Sequence, residues 1–504
     1  MIISLSVLVI TIIVSGTYAL YKAQLSKNIG VNTTTHGLAY YINYVKGTDI
    51  TAATLNPSTS YEGGASSDIE FWKKDDSYDI YGKIELTVNT IGTNLSNSPA
   101  LKYAVVNNGN VLKEGSLKGT TSGSKVTILK NLYLEQTKQI YTVYVWLDNS
   151  EELGNISNES LSISVDCTAS LQKEPTAADT IISLYTSAAK VTATNNSITY
   201  NTAPSVSLMN DRLGGTTTSL DGGNIRYYGA SPNNYIYFNC SDYSNQTSST
   251  CETWRIIGVF DGKLKLIKSE SIGAYSWDNK DTSTGAENDT GKNDWTTARL
   301  MKLLNPSNYY KVDSNDNNLG QSLYWNSQSG TCFAGQNNAT KACDFTSTGL
   351  KNDITRNMIS ESTYSLLGWN ANAVYSDQIY NYERTDGKVY NETTRDKSWT
   401  GKVALAYPSD YVYAADLNQC SQTLYNYDNS TCKSNDWMFN SAFQWLLTPN
   451  SGNAGTVWYV DSSGYLSVYY AFYEGGVRPV LFLGSELGIK AGDGSNSAPY
   501  QLSA

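Results

Sequence analysis

Histidine is almost absent from this chain of 504 residues, which contains His36 and no other. Imidazole is the usual zinc ligand and the usual general base, so zinc sites and histidine-dependent catalysis are nearly excluded. Basic clusters are also missing, because no run of lysine or arginine exceeds Lys73-Lys74 and the net charge is −10. A chain that cannot neutralise a row of phosphates is not expected to bind nucleic acid.

Charged residues of all kinds are scarce, at 16% of the chain, against roughly a quarter in typical soluble domains. Glycine and tyrosine are abundant instead, with 39 residues of each. Tyrosine favours strands and glycine favours turns, so this composition is typical of β-rich proteins with many turns. The length is sufficient for two to four domains, each with its own core.

Six of the seven cysteines are close neighbours in the sequence. They fall into the pairs Cys240/Cys251, Cys332/Cys343 and Cys420/Cys432, which leaves Cys167 over. Six cysteines allow 15 pairings, but closing a short polar loop costs the least chain entropy. No pair has the C-x-x-C spacing of a metal site, so we predict three local disulfides, each contributing roughly 3 kcal/mol. The remaining cysteine is either a buried free thiol or an intermolecular bridge.

The first twenty residues carry no charge, and the first cation is Lys22. Such a segment is either the apolar core of a signal peptide or a membrane anchor of about minimal length, and we assign it to residues 1–24. Disulfides form in oxidising compartments, so both features predict an exported, extracellular or cell-surface protein, membrane-anchored if the segment is not cleaved. The sequence SGTYALYKAQ, residues 15–24, resembles the end of the signal peptides of camelysin and TasA-like biofilm-matrix proteins of Gram-positive bacteria. The resemblance implies cleavage after Ala19 and a β-sandwich beyond it.

Residues 30–169 have an all-β pattern. Apolar residues alternate with polar ones at 84–88, and the segment 140–147 (IYTVYVWL) is the strongest predicted strand. The turn sequence Asn107-Asn108-Gly109-Asn110 separates two further strands and predicts a hairpin. Six to eight short strands in this length predict an Ig-like or jelly-roll sandwich.

The pattern changes twice after the predicted sandwich. Residues 170–224 read as a helix, with Thr176 as its N-cap, followed by a linker rich in Ser, Thr, Asn and Gly. Residues 225–504 hold nine of the 11 tryptophans and predict one α+β domain with the three disulfides. Within it, residues 295–305 (WTTARLMKLLN) predict an amphipathic helix with one apolar side.

The stretch from Trp445 to Leu483 carries a longer resemblance. It is similar to the closing segment of C-type-lectin-like bacterial surface domains, which share a W-L-x-x-P…V-x-x-x-G…G-V-R-P ending. The matching residues are Trp445, Leu446, Pro449, Val460, Gly464, Gly476, Val477, Arg478 and Pro479. The resemblance implies a C-type-lectin-like fold for the second half of the chain, a fold shared with formylglycine-generating enzymes and the variable proteins of diversity-generating retroelements. In the variable proteins, residues near the same final hairpins bind ligand.

A cluster of aromatic residues lies in that stretch and supplies the candidate ligand-binding site. Its tyrosines are Tyr459, Tyr465, Tyr469, Tyr470 and Tyr473, and Phe472 lies among them. Tyrosine gives a large, rigid and amphipathic contact area, which suits binding of sugars through their apolar faces. Strand alternation predicts that about half of these rings pack within the hairpin instead. Arg478 is predicted to be buried and paired with a carboxylate such as Glu474 or Asp461.

Metal and enzyme sites find little support in the sequence. The segment beginning at Asp313 fails as an EF-hand, because position six is Asn318 and position twelve is Tyr324. The loop 278–294 is rich in oxygen ligands and could bind calcium, but a solvated polar loop is the favoured interpretation. No cofactor and no catalytic constellation are therefore predicted.

The predicted function is that of an exported bacterial surface protein of the adhesin type. Its C-terminal domain would bind a glycan or a protein on another cell or in the matrix. Two alternatives stay open: a structural subunit of a biofilm-matrix fibre or pilus, and a glycan-acting enzyme. The sequence does not name the ligand.

Overall fold

A computed structural model describes residues 23–25, 38–51, 55–151, 153–156, 158–196, 198–212, 223–315, 319–370 and 374–503. They form two compact units that divide between Glu174 and Pro175. The predicted signal peptide or anchor, residues 1–24, lies outside these ranges except for its last two residues. Within the described ranges no helix has both the length and the apolar character that crossing a membrane requires.

The first unit contains strands β1 to β11 and one short helix, α1, at Thr93–Asn97. In chain order the strands are Ala23–Leu25, Ile42–Val45, Ile50–Thr51, Pro57–Ser58, Ala65–Lys73, Tyr81–Ile91, Leu101–Asn107, Asn110–Ser116, Lys125–Tyr133, Ile140–Asp148 and Leu161–Ser170. One sheet has the order β1-β11-β6-β9, with β3 also on β11, and the other has the order β2-β5-β10-β7-β8, with β4 also on β10. Apolar side chains of both sheets share one core, which makes this unit the predicted β-sandwich.

Strand β10 shows why the alternation predicts the sandwich. Tyr141, Val143 and Val145 point into the shared core, while Trp146 packs on the opposite face against Val106. The predicted hairpin joins β7 to β8 through residues 108 and 109, which have positive φ angles of 49° and 76°. Asparagine and glycine tolerate this left-handed backbone, and its twist matches that of the two strands.

The second unit contains strands β12 to β32 and helices α2 to α7. In chain order the strands are Val191–Asn195, Ile198–Ala203, Leu208–Asn210, Ile225–Tyr227, Tyr235–Phe238, Glu252–Phe260, Lys263–Lys268, Ala274–Ser276, Ser329–Phe333, Thr340–Asp344, Ile359–Ser360, Ser362–Ser365, Ser398–Gly401, Val403–Ala404, Gln444–Pro449, Thr456–Val460, Leu466–Tyr470, Glu474–Gly476, Val480–Leu483, Gly488–Ala491 and Gln501–Ser503. The helices are Ala177–Ser187, Arg299–Leu304, Asp353–Asn357, Ser376–Tyr382, Pro408–Val412 and Ser430–Ser434.

Two sheets dominate the second unit. Ten strands form the larger, in the order β12-β13-β14-β15-β17-β18-β30-β22, with β16 on β17 and β25 on β30. Five strands form the smaller, in the order β19-β29-β26-β27-β28. The helices are short and strands far outnumber them, so both units are rich in antiparallel β-structure.

The segment predicted as a linker belongs to the second unit. Helix α2 begins after the predicted N-cap Thr176, whose hydroxyl accepts a hydrogen bond from the backbone N–H of Asp179 at 3.0 Å. Strands β12, β13 and β14 of the larger sheet then follow, which corrects the linker interpretation of 170–224 where these strands lie. Serine, threonine and asparagine satisfy a strand's hydrogen bonds as well as other residues do, so a polar composition alone does not indicate a linker. Residues 213–222 lie outside the described ranges.

The predicted helix at 295–305 is shorter and less amphipathic than expected. Helix α3 covers only Arg299–Leu304, and all six of its residues are buried, including Arg299 and Lys302. Its polar side chains are therefore held inside the unit instead of forming a solvated face.

The three predicted disulfides are present: Cys240–Cys251, Cys332–Cys343 and Cys420–Cys432. The first and third loops also carry buried aromatic residues, Tyr243 and Tyr427, so each disulfide holds part of the core in place. Disulfides of this kind indicate an oxidising environment. Cys167 is unpaired in β11, and burial raises the pKa of its thiol well above the usual value.

Thiol titration tests this pairing directly. We expect one reactive thiol per chain under denaturing, non-reducing conditions, from Cys167, because the other six cysteines are oxidised. Reduction before the titration should raise the number to seven. Five or more thiols without reduction would contradict the three disulfides.

A cluster of four buried charges lies in the second unit. Arg226 on β15 donates from Nε to Asp211 at 2.6 Å and from Nη1 to Asp410 at 2.9 Å. Asp410, at the start of α6, also accepts from Lys265 on β18. All four side chains are at most 2% exposed. The cluster therefore ties two strands of the larger sheet to helix α6.

Candidate functional site

Strands β26, β27 and β28 form an antiparallel meander that positions the tyrosines. Tyr459 lies opposite Trp445 on one side and Ser467 on the other, and Tyr469 lies opposite Val457. Directly opposed residues share a face of the sheet, so these side chains line one surface. The neighbouring residue Trp458 points the other way, into the core.

The β27–β28 turn is fixed by its own residues. The carboxylate of Asp461 accepts hydrogen bonds from the backbone N–H groups of Ser463 and Tyr465, at 2.7 and 3.0 Å. Gly464 has a φ of 94°, a left-handed conformation that favours glycine. The conformation accounts for the glycine at position 464 of the W-L-x-x-P…G-V-R-P pattern.

Six aromatic side chains form a continuous run of ring contacts, which we call the aromatic strip. In order of contact its members are Phe443, Tyr459, Tyr469, Tyr473, Phe472 and Tyr470. Successive ring centroids are 4.6, 5.5, 4.3, 4.3 and 5.8 Å apart, and four of the five contacts are stacked. Three of these spacings lie within the range of about 4.5–7 Å for favourable aromatic pairs, and the two of 4.3 Å lie just below it.

One end of the aromatic strip faces solvent. Tyr469, Tyr470 and Tyr473 are 37%, 41% and 40% exposed, whereas Phe472 is 8% exposed. Tyr459 is half-buried, and burial raises the pKa of its hydroxyl, with the charge of Asp461 adding to the effect. The strip therefore has a half-buried end, at Phe443 and Tyr459, and an exposed end of three tyrosines around the buried Phe472.

The backbone under the exposed end is anchored to neighbouring segments. The carbonyl of Phe472 accepts a hydrogen bond from the hydroxyl of Ser276 at 2.6 Å. Ala471 donates its N–H to Gly455 and accepts from the N–H of Asp278, at 2.8 and 3.1 Å. A surface held in this way loses little conformational freedom when a ligand binds.

The structure brings four of the five predicted tyrosines together. Tyr465 is the exception: its ring stacks on Tyr425 at 5.1 Å, in a separate pair outside the strip. The sequence pattern missed Phe443, which begins the strip and lies two residues before Trp445. Alternation along β26 could have indicated it, because residues two apart share a face of a strand.

Arg478 is buried as predicted, but its partners differ from the prediction. Its guanidinium donates to the backbone carbonyls of Lys268 and Met438, at 2.9 and 3.3 Å, and to the side-chain oxygen of Gln444 at 3.3 Å. Glu474 pairs instead with Lys341 at 3.0 Å. Burial lowers the pKa of Arg478 to about 10, since neutral carbonyls compensate its charge less than a carboxylate would.

The loop 278–294 is solvated only in its middle, where most of residues 282–289 are exposed, and its two ends are buried. Asp278 and Lys280 are completely buried and form an ion pair at 2.9 Å. Asp278 also accepts the backbone N–H of Lys292 at 2.8 Å, so its oxygens are engaged within the protein. Among the described residues, no group of three histidine, cysteine or acidic side chains could hold a metal ion.

Comparisons with known proteins do not identify a family. No protein-family model matches the chain, and no curated protein matches it. Among solved structures, it is similar to the crystal structures of two single-residue mutants of HCR/D. The first is 13% identical, with 51% of this chain and 76% of that chain covered and a TM-score of 0.14. The second is 10% identical, with 50% and 76% covered and a TM-score of 0.15. TM-scores this low carry no argument about fold or function.

Proposed function

We propose that this protein is an exported surface protein whose second unit binds a glycan through the aromatic strip. The observation that carries the proposal is the exposed end of the strip, where three tyrosines lie side by side on an anchored turn. Single exposed aromatic residues are common, but three in ring contact at the surface are a feature of binding sites.

The chemistry of the exposed end suits a sugar. A pyranose ring presents C–H groups on one face, and these pack on the π-face of an aromatic side chain. Its hydroxyl groups then hydrogen-bond at the edges, where each tyrosine supplies an O–H that can donate and accept. Glu474 follows Tyr473 in the sequence, and its carboxylate pairs with Lys341 of β21 at 3.0 Å. This ion pair adds a polar border to the exposed end.

Two further observations support the proposal. The three disulfides agree with export, because they persist in oxidising compartments. The W-L-x-x-P…G-V-R-P pattern spans strands β26 to β29, which carry or adjoin the strip. We infer from this pattern that the second unit is C-type-lectin-like, a fold that binds ligands near its final hairpins.

A glycan array with two matched variants tests the proposal. We expect the full chain to bind at least one glycan, and replacing Tyr469, Tyr470 and Tyr473 together by serine to weaken that binding at least tenfold. Each lost ring contact is worth on the order of 1 kcal/mol. The control replaces Tyr40, Tyr78 and Tyr133 by serine, because these tyrosines of the first unit are similarly exposed, at 60%, 44% and 40%.

The control should bind as well as the unaltered chain, with or without calcium. Equal losses in both variants would show that exposed tyrosines bind sugars without a specific site, and the proposal would fail. Absence of any array binding, together with concentration-dependent fibres in solution, would favour the structural-subunit alternative.

A further inference from the structure

Two tyrosines of the aromatic strip, Tyr469 and Tyr473, are unusually close to each other. Their ring centroids are 4.3 Å apart, and the ring planes are inclined by only 26°. Among the described residues no other pair of tyrosine rings is as close, and the next pair, Tyr41 and Tyr78, is edge-on at 4.8 Å and 76°. Tyr469 belongs to β28 and Tyr473 immediately precedes β29, so the turn between these strands brings the two rings together.

The hydroxyl groups of the pair are neighbours as well. A hydrogen bond with the hydroxyl of Tyr473 raises the pKa of Tyr469. Stacked rings whose hydroxyls are also adjacent must point in the same direction. The two carbon atoms that flank each hydroxyl, the ortho carbons, therefore lie against the corresponding carbons of the partner ring.

Both rings are accessible to reagents in solution. Tyr469 is 37% exposed and Tyr473 is 40% exposed, in contrast to the tyrosine pairs of the core, such as Tyr200 and Tyr413. The pair therefore combines two properties that rarely occur together, namely close ring contact and a surface position.

The groups that usually react first with oxidants are sheltered in this chain. Six of the cysteines are closed in disulfides, and the thiol of Cys167 is buried. The described methionines are all buried: Met209, Met301, Met358 and Met438. Because sulfur oxidation follows exposure, an oxidant in solution meets the phenol groups of the exposed tyrosines before it meets these sulfur atoms.

We propose that Tyr469 and Tyr473 are a site of oxidative modification, at which a haem peroxidase and hydrogen peroxide join them into a dityrosine cross-link within one chain. Two groups that are held in contact react as an effectively unimolecular pair, which favours this partner over any tyrosine of another molecule. The disulfides indicate an oxidising environment, in which such a reaction is possible. The modification goes beyond the glycan binding proposed for the strip.

The reaction balances in atoms and electrons. Each phenol loses one electron and one proton and becomes a phenoxyl radical, with part of the unpaired electron density on the ortho carbons. One new C–C bond forms between two ortho carbons, and their protons move to the oxygens, which restores both phenols. The O–O bond of hydrogen peroxide breaks, and the two hydrogen atoms lost by the tyrosines reduce it to two water molecules.

The test treats the full chain, at low concentration, with a haem peroxidase and hydrogen peroxide. Dityrosine fluorescence gives the yield, and mass spectrometry of the intact chain and of its peptides locates the cross-link. We expect the monomer to lose two hydrogen atoms and the link to join Tyr469 to Tyr473. Tyr473→Phe should lower the yield at least about tenfold, because phenylalanine keeps the ring but has no hydroxyl to oxidise.

Tyr78→Phe is the matched control. Tyr78 is 44% exposed and also raises the pKa of a tyrosine neighbour, Tyr41, through a hydrogen bond, but the two rings are edge-on. This variant should keep the yield of the unaltered chain. An unchanged yield in Tyr473→Phe or an equal loss in both variants would overturn the proposal. Dityrosine confined to covalent dimers, or absent altogether, would do the same.

A second variant covers the case in which Tyr473→Phe does not fold. Tyr469→Phe removes the other phenol of the pair and should lower the yield by the same factor. The oxidation is carried out without sugar, and the glycan array uses the untreated chain. Failure of either experiment therefore leaves the other proposal standing.

Discussion

Replacing Asp410 by asparagine should reduce the free energy of unfolding of the second unit by about 3–5 kcal/mol. The carboxylate of Asp410 is completely buried and accepts from both Arg226 and Lys265. Burial alone would raise its pKa, but the two cations outweigh that effect and hold the pKa below its usual value. The buried carboxylate is therefore ionised, and its removal leaves Lys265 without a counter-charge in the core.

Equilibrium unfolding in denaturant measures the effect, with tryptophan fluorescence as the probe. Nine of the 11 tryptophans belong to the second unit, so the signal reports mainly on it. Asp396→Asn is the control, because Asp396 pairs with Lys311 at the surface, where both side chains are about half exposed. We expect the control to change the stability by less than about 1 kcal/mol.

A double variant separates loss of a counter-charge from loss of packing. Asp410→Leu combined with Lys265→Met removes both charges and replaces them with apolar groups of similar length. It should recover part of the stability lost in Asp410→Asn, since an apolar pair avoids the cost of a buried unpaired ion. A single variant as stable as the control would contradict the account of the buried cluster.

The second prediction is that the free energy of unfolding of the second unit decreases as the pH rises from 5 to 8. Asp436 is buried, one of its carboxylate oxygens accepts the backbone N–H of Met438 at 2.8 Å, and the other has no hydrogen-bond partner among the described residues. Burial raises its pKa from 3.8 to about 8. Glu383 is buried beside Arg384, and burial raises its pKa from 4.5 to about 7.

The direction follows from the protons bound in each state. Between the unfolded and folded pKa values, the folded chain keeps a proton that the unfolded chain has released. Stability is then fully present below about pH 4 and declines as the pH rises towards the folded pKa, by on the order of 1.4 kcal/mol per pH unit for each such group. The chain has only one histidine, so these two carboxyl groups dominate the change up to pH 7. Burial lowers the pKa of Lys265 to about 8, which adds an opposing effect near pH 8.

Asp436→Asn tests the source of this pH dependence. Asparagine has nearly the same shape and stays neutral, so the variant should be more stable than the unaltered chain at pH 8. Its stability should still decline up to about pH 7, where Glu383 titrates, and show no further decline up to pH 8. Thermal unfolding at half-unit pH intervals gives both curves, and parallel curves for the two proteins would show that Asp436 is not the cause.

Local features of both units could be predicted from the sequence. The alternation in β10, the Asn-Gly turn after β7 and the N-cap Thr176 depend on neighbouring residues, and the structure confirms them. The disulfides were also predictable, because each joins cysteines that are 11 or 12 positions apart. These features need no knowledge of how distant segments pair.

Features that depend on distant segments could not be predicted. Strand β18 pairs with β30 across more than two hundred residues, and no local pattern indicates that partner. The same holds for the salt bridge between Arg226 and Asp410. Four strip tyrosines were predictable because they lie close together in sequence, whereas the small cavity beside Trp295 draws its walls from residues between 277 and 449. Polar strands such as β12 were not predicted, because the Ser, Thr, Asn and Gly content of their region was taken to indicate a linker.

The buried thiol of Cys167 can report on opening of the first unit. This thiol lies at 1% exposure in the sandwich core, and the other six cysteines are closed in disulfides in the second unit. A thiol reagent added to the native protein can therefore label one position, and only when the two sheets separate there. The labelling rate under native conditions then measures how often the sandwich opens, without a mutation or an added probe.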